Sequence, residues 1–132
     1  MNVEQVLWPR VVAITPEDRL IDAAWKMREY EIGCVLVMHE KDVEGIVTER
    51  DLLRAYVDGA SLVLTPVTDY MTRRPRMIEA GTEVTEAAAL MLRIAARHLP
   101  VTKAGRVVGM VSSRDLLAVL SGRPKLFRAV GE

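Results

Sequence analysis

A single cysteine, Cys34, occurs in the 132 residues. No internal disulfide framework can form, and a reducing compartment fits. Charge of one sign is missing too: 18 basic residues balance 18 acidic ones. A duplex nucleic acid usually meets a strong basic excess, so nucleic acid is not the expected partner, although a local basic patch remains open. No uncharged apolar run approaches the length of a membrane span, so no membrane role is expected. The start, Met1 to Gln5, has no basic region followed by an apolar one, so a signal peptide is not expected and a cytoplasmic protein is. Asn2 is the only asparagine and Gln5 the only glutamine. With abundant arginine, that scarcity leans towards a thermophilic source. The two histidines, His39 and His98, form no recognisable metal spacing with Cys34. No nucleophile–base pair and no phosphate loop stands out, so neither an enzyme nor a catalytic cofactor is expected.

What is present is a duplication. Gly45-Ile46-Val47-Thr48-Glu49-Arg50-Asp51-Leu52-Leu53 returns as Gly109-Met110-Val111-Ser112-Ser113-Arg114-Asp115-Leu116-Leu117, 64 residues later. Val3 to Leu53 aligns without a gap on Val67 to Leu117, with fourteen of fifty-one positions identical. Two copies are too few for a solenoid and point to a pseudo-symmetric pair. Half of the residues are apolar, enough for a real core.

In order, residues 1–10 form a lead-in broken by Pro9. Val11 to Ile14 reads as a short strand. Thr15-Pro16-Glu17-Asp18 reads as a helix start, and Leu20, Ala23, Ala24, Met27 and Tyr30 recur at helical spacing until Gly33 ends the helix. Cys34 to Met38 is a buried strand, Glu40 to Asp42 a turn, Val43 to Thr48 a strand and Glu49 to Val57 a helix. The second copy repeats this: a lead-in to Arg76, a strand at Met77-Ile78, a helix capped by Thr82, strands at Leu99–Thr102 and Val107–Ser112, and a helix from Ser113 to Leu120. The expected organisation is repeat 1 at 3–57, a connector at 58–66, repeat 2 at 67–120, and a tail at 121–132 carrying Arg123, Lys125 and Arg128. Each repeat is β-α-β-β-α, giving an α/β (α+β) fold.

That order, with Gly-apolar-apolar-Thr/Ser-x-x-Asp closing each half, resembles the cystathionine-β-synthase (CBS) domain. Tyr70-Met71-Thr72 and His98-Leu99-Pro100-Val101 add to the likeness. Over residues 3–120 the chain is similar to a tandem CBS pair, or Bateman module, and a stand-alone module is expected. The resemblance implies two repeats packed sheet to sheet, a ligand cleft on either side of their pseudo-twofold axis, and a regulatory sensor of adenosine-containing ligands. It also implies a homodimer formed through the helices and an unknown protein partner that is regulated.

Thr48 with Asp51, and Ser112 with Asp115, match the family's ribose-binding positions. A carboxylate accepts from both hydroxyls of a ribose diol. The same spacing is an acidic variant of the capping box, in which the pair satisfies orphan helix N–H groups, and both roles fit one residue pair. The resemblance groups Thr48 and Asp51 with Met71, Arg73, Arg74, Arg76, Ala96, Arg97 and His98. It groups Ser112 and Asp115 with Arg10, Val12, Ile32, Gly33 and Cys34. Phosphate favours the first, more basic set, since guanidinium groups bind phosphate oxygens bidentately. The arginines read equally as solvated surface, Trp8 and Trp25 as core or dimer contacts, and Cys34 as a small hydrophobe. The expected ligand is AMP, ADP or ATP. The alternatives are S-adenosylmethionine, NAD, or a ligand-free assembly module.

Overall fold

The order of elements follows the duplication. The computed structural model describes residues 1–123, so the expected tail falls outside the described residues from 124 on. The first copy holds β1 (Ala13–Ile14), α1 (Leu20–Tyr30), β2 (Cys34–His39), β3 (Asp42–Thr48) and α2 (Glu49–Val57). The second holds β4 (Thr72–Arg73), β5 (Ile78–Glu79), α3 (Val84–Ile94), β6 (His98–Lys103), β7 (Arg106–Ser112) and α4 (Ser113–Leu120). Short 3-10 turns at Val3–Gln5 and Val67–Asp69 open the two lead-ins. Four helices and two mixed sheets make the expected α+β class, one sheet ordered β1-β2-β3-β4 and the other β5-β6-β7.

Three local expectations are corrected. α1 begins after Arg19, not Asp18, because the Asp18 carboxylate turns back to accept the Thr15 N–H at 2.8 Å and closes a turn. Asp22 accepts the Arg19 N–H at 2.8 Å and so marks the true first turn. α3 likewise starts after Glu83 rather than Thr82, whose N–H donates to the Glu79 carbonyl at 3.0 Å. α1 ends not at Gly33 but in a left-handed residue, Glu31 (φ 53°), and α3 ends the same way at Ala95 (φ 56°). β4 has no precedent in the sequence reading: it pairs antiparallel with β3, Gly45 opposite Arg73 and Ile46 opposite Thr72.

The chain forms two compact units whose limits differ from those of the repeats. A middle unit spans Val12–Pro75, and a terminal unit joins Met1–Val11 to the chain from Arg76 on. Each lead-in therefore serves the sheet of the other copy. In the terminal unit Trp8 bridges Met110 by paired backbone bonds of 2.8 and 3.0 Å, and the Val3 N–H donates to Thr82 O. In the middle unit the Val67 N–H donates to Asp18 O, and β4 lies on β3. These partners are offset by the same 64 residues in both units.

Helix spacing then builds the cores. Leu20, Ala23 and Met27 of α1 are buried in the middle unit, with Val35, Leu36 and Val37 of β2 and Val47 of β3. Val84, Ala87, Leu90 and Met91 of α3 join Leu99, Val101, Val111 and Leu116 in the terminal unit. Each fully buried leucine or valine contributes about 1.5–3 kcal/mol of burial. A bulge at Val37/Met38 recurs at Val101/Thr102, so the duplication extends to the irregularities of the sheets.

Candidate ligand-binding helix starts

Among the described residues, Asp51 and Asp115 are the only buried charged side chains, 6% and 3% exposed. Both stand in the first turn of a helix that leaves its strand without a loop. Thr48 ends β3 in extended conformation (φ −113°, ψ 166°) and caps α2. Its N–H donates to Asp51 Oδ2 at 2.8 Å and its hydroxyl to the same oxygen at 3.2 Å, while the Asp51 N–H donates to Thr48 Oγ1 at 3.3 Å. Ser112 and Asp115 repeat this at the start of α4, with distances of 2.6, 3.0 and 3.1 Å. The capping reading of these pairs is therefore realised at both places. Each carboxylate sits where helix N–H groups favour negative charge.

The two starts differ beyond the shared box. Asp51 Oδ1 accepts from Arg54 Nη2 at 2.9 Å. The same Nη2 donates to the Tyr70 carbonyl at 3.1 Å, and the guanidinium lies 5.4 Å from the Tyr70 ring centroid. The Tyr70 hydroxyl donates to Asp58 Oδ2 at 2.8 Å, which holds the phenol above its ordinary pKa. Sixty-four residues on, Arg54 becomes Ala118, and Tyr70 corresponds to Val6. Neither Arg54 nor Tyr70 is among the site residues expected from the sequence, where Tyr70 enters only through the Tyr70-Met71-Thr72 likeness. The Asp51–Arg54 spacing, three residues along a helix, was the available signal.

The remaining candidates fall in both units. In the middle unit, Arg73 is exposed on β4 opposite Gly45, and Met71 is buried. Arg74 is exposed in left-handed conformation (φ 48°), its N–H donating to Glu44 O at 3.1 Å. A non-glycine residue in that conformation, directly before Pro75, is an uncommon backbone state. Gly33 O accepts the Glu49 N–H at 3.0 Å, and Cys34 pairs with Thr48 across the strands. Ile32 is half-buried and Val12 buried. Burial pushes the Cys34 thiol up to about 12, aided by the Glu49 carboxylate, so it carries no thiolate at neutral pH.

In the terminal unit, Arg10 is exposed with its guanidinium 5.6 Å from the Trp8 ring centroid. Arg76 and Arg97 are exposed, and Ala96 and His98 are half-buried. Arg97 O accepts the Ser113 N–H at 2.8 Å, and His98 pairs with Ser112. Within a unit, then, each helix start adjoins the strand start of its own repeat: Gly33 and Cys34 beside Thr48, Arg97 and His98 beside Ser112. No group of three or more His, Cys, Asp or Glu able to hold a metal occurs among the described residues. Nor, among them, is any helix long and apolar enough to cross a membrane.

The family model of the CBS domain matches this chain twice, at residues 3–58 and 67–122. An uncharacterised 17.7 kDa protein of Acidianus ambivalens is 36% identical over 90% of this chain and 73% of its own length. An uncharacterised protein of Methanopyrus kandleri is 34% identical over 90% of this chain, which spans 62% of that protein. A CBS-domain protein of Burkholderia ambifaria has a similar structure, with a TM-score of 0.89, 33% identity, and coverage of 92% of this chain and 95% of that one. Two more distant structures share the fold. One is a CBS domain protein of Pyrobaculum aerophilum complexed with AMP (TM-score 0.82, 23% identity, 92% and 99% covered). The other is the CBS domain pair of protein MJ0100 with 5′-methylthioadenosine and S-adenosylmethionine (TM-score 0.85, 21% identity, 92% and 97% covered).

Proposed function

Because the chain belongs to the CBS-domain family, we propose that it is a non-enzymatic regulatory sensor that binds an adenine nucleotide at its two helix starts. The observation that carries this reading is the pair of buried carboxylates, Asp51 and Asp115, each fixed in a first helical turn by a hydroxyl residue. A ribose diol donates two hydrogen bonds, and a preset carboxylate is a fitting acceptor. The adenosine ligands of the Pyrobaculum protein and of MJ0100 support the choice of ligand class. In this reading Arg73, Arg74, Arg76, Arg97, His98 and Arg10 supply the phosphate contacts. Met71, Val12, Ile32, Gly33, Cys34 and Ala96 complete the two ligand sets that the resemblance suggested. AMP, ADP and ATP lead; S-adenosylmethionine and NAD follow. Binding acts by population shift, through different affinities for two states of the chain, and a protein partner reads the state.

A second reading, assembly without ligand, is favoured by a separate observation. The helices expose large apolar side chains: Trp25 on α1, Leu53 and Tyr56 on α2, Leu92 on α3, and Leu117 and Leu120 on α4. Both readings include a homodimer through these helices, and only the first needs a ligand.

A thermal-shift panel of AMP, ADP, ATP, S-adenosylmethionine and NAD separates them. A ligand at 100 times its Kd adds about 2.7 kcal/mol, or roughly 5–15 °C for a chain of this size. The sensor reading expects a shift that Asp51→Ala or Asp115→Ala reduces. No shift with any ligand, and both variants merely less stable, leaves the carboxylates as caps and assembly as the function.

A further inference from the structure

The capping box is common to both helix starts, and at Asp51 an arginine holds the second carboxylate oxygen. Oδ2 is taken up by the Thr48 N–H and hydroxyl, so Oδ1 is where an incoming hydroxyl would bind, and Arg54 Nη2 occupies it at 2.9 Å. The same guanidinium holds the Tyr70 carbonyl and covers the Tyr70 ring, and Tyr70 in turn holds Asp58. One side chain therefore joins the carboxylate to both ends of the connector that runs from α2 to β4.

We propose that Arg54 is a latch: it competes with the ligand's ribose for Asp51, and its release passes the binding event to the Asp58–Tyr70 connector. The inference rests on the ligand reading above. The physical case is competition for one acceptor. The Arg54 side chain is 60% exposed, so the ion pair is weak enough to open. The Asp51 side chain is 9% exposed, so a donor that replaces the guanidinium must itself satisfy the carboxylate. A neutral diol does this with two hydroxyls. Arg54 has no counterpart in the other repeat, where Ala118 stands at the equivalent position of α4.

The test uses the full chain carrying Asp115→Asn, so that Asp51 is the site under measurement, with adenosine as the probe and calorimetry as the readout. Arg54→Met, which keeps the length and removes the charge, is expected to bind adenosine about fivefold more tightly, as expected from loss of a competing exposed ion pair. Arg54→Gln is expected to behave in the same direction. With Arg54 present, adenosine is expected to move the Tyr70 ring resonances, and in Arg54→Met it is not. If Arg54→Met binds equally or more weakly, while Asp51→Asn abolishes binding, the ligand reading stands and the latch is overturned. If Asp51→Asn leaves binding unchanged, or no variant binds adenosine, the reading and the latch fall together.

Discussion

Gly109 meets the backbone carbonyl of Trp8 so closely that a Cβ at position 109 would overlap that oxygen and crowd Leu7 Cδ1. The glycine that opens each repeated motif is thus a packing residue for the lead-in strand. At Gly45 a Cβ would stand 2.5 Å from Met71 Sδ and 3.0 Å from Thr72 O. Met71 Sδ belongs to a flexible thioether that can move, whereas the Trp8 carbonyl is held by the bridge to Met110. Gly109→Ala is expected to cost about 1–3 kcal/mol, the range for overpacking, and Gly45→Ala less. Urea unfolding checks the order; equal losses would mean that the Trp8 bridge yields freely.

The capping hydroxyls make a second prediction. Removing the acceptor of the Asp51 or Asp115 N–H by Thr48→Ala or Ser112→Ala is expected to cost about 0.5–2 kcal/mol. Thr48→Ser keeps the oxygen and is expected to cost much less. The unfolding midpoints of the three variants decide it, and a Thr48→Ser loss as large as that of Thr48→Ala would remove the hydroxyl from the account.

Cys34 gives a pH dependence with a definite sign. Burial holds the folded thiol at about 12 against an ordinary 9.0. Between those values the unfolded chain releases the proton and the folded chain keeps it, so stability falls as pH rises, by about 1.4 kcal/mol per unit at most. Below pH 9 the contribution is fully present. Measured against Cys34→Ala, wild type is expected to lose stability from pH 9 upward, and a constant difference would contradict the buried thiol. At pH 8 iodoacetamide is expected to label the native chain far more slowly than the urea-unfolded one.

Tyr70 gives a further one. Its phenol is held above the ordinary range chiefly by donating to Asp58. Asp58→Asn is expected to bring the Tyr70 titration down towards that range in an NMR pH series. A titration that does not move would show that the hydrogen bond is not kept in solution.

Local signals carried the sequence reading where both chemistry and spacing were local. The starts of Glu49–Val57 and Ser113–Leu120 were legible to the residue, because a hydroxyl cap, an acid three residues on and an apolar face all lie within one helix. Thr72–Arg73 was not, since two exposed residues carry no strand pattern and their pairing partner is Gly45, far away in sequence. Gly33 was a plausible helix stop, but the left-handed residue is Glu31, where the chain must turn into a buried β2. Recurrence marked Gly45 and Gly109 without giving their reason, which lies in backbone brought from another part of the chain. Arg54 was overlooked because its repeat counterpart is Ala118, and a reading guided by recurrence discounts what occurs once.

The exchanged lead-ins also bear on how such a chain could arise. One copy by itself has no segment for the edge that Trp8 or β4 occupies, and its own lead-in has no sheet to join. Two separate single-copy chains could complete one another only by trading those arms, as a domain-swapped dimer does. Fusing them end to end turns that exchange into an intramolecular one, with an effective concentration set by the short connector. Severing the backbone between α2 and Pro66 would leave two fragments, each carrying the lead-in that the other's sheet pairs with.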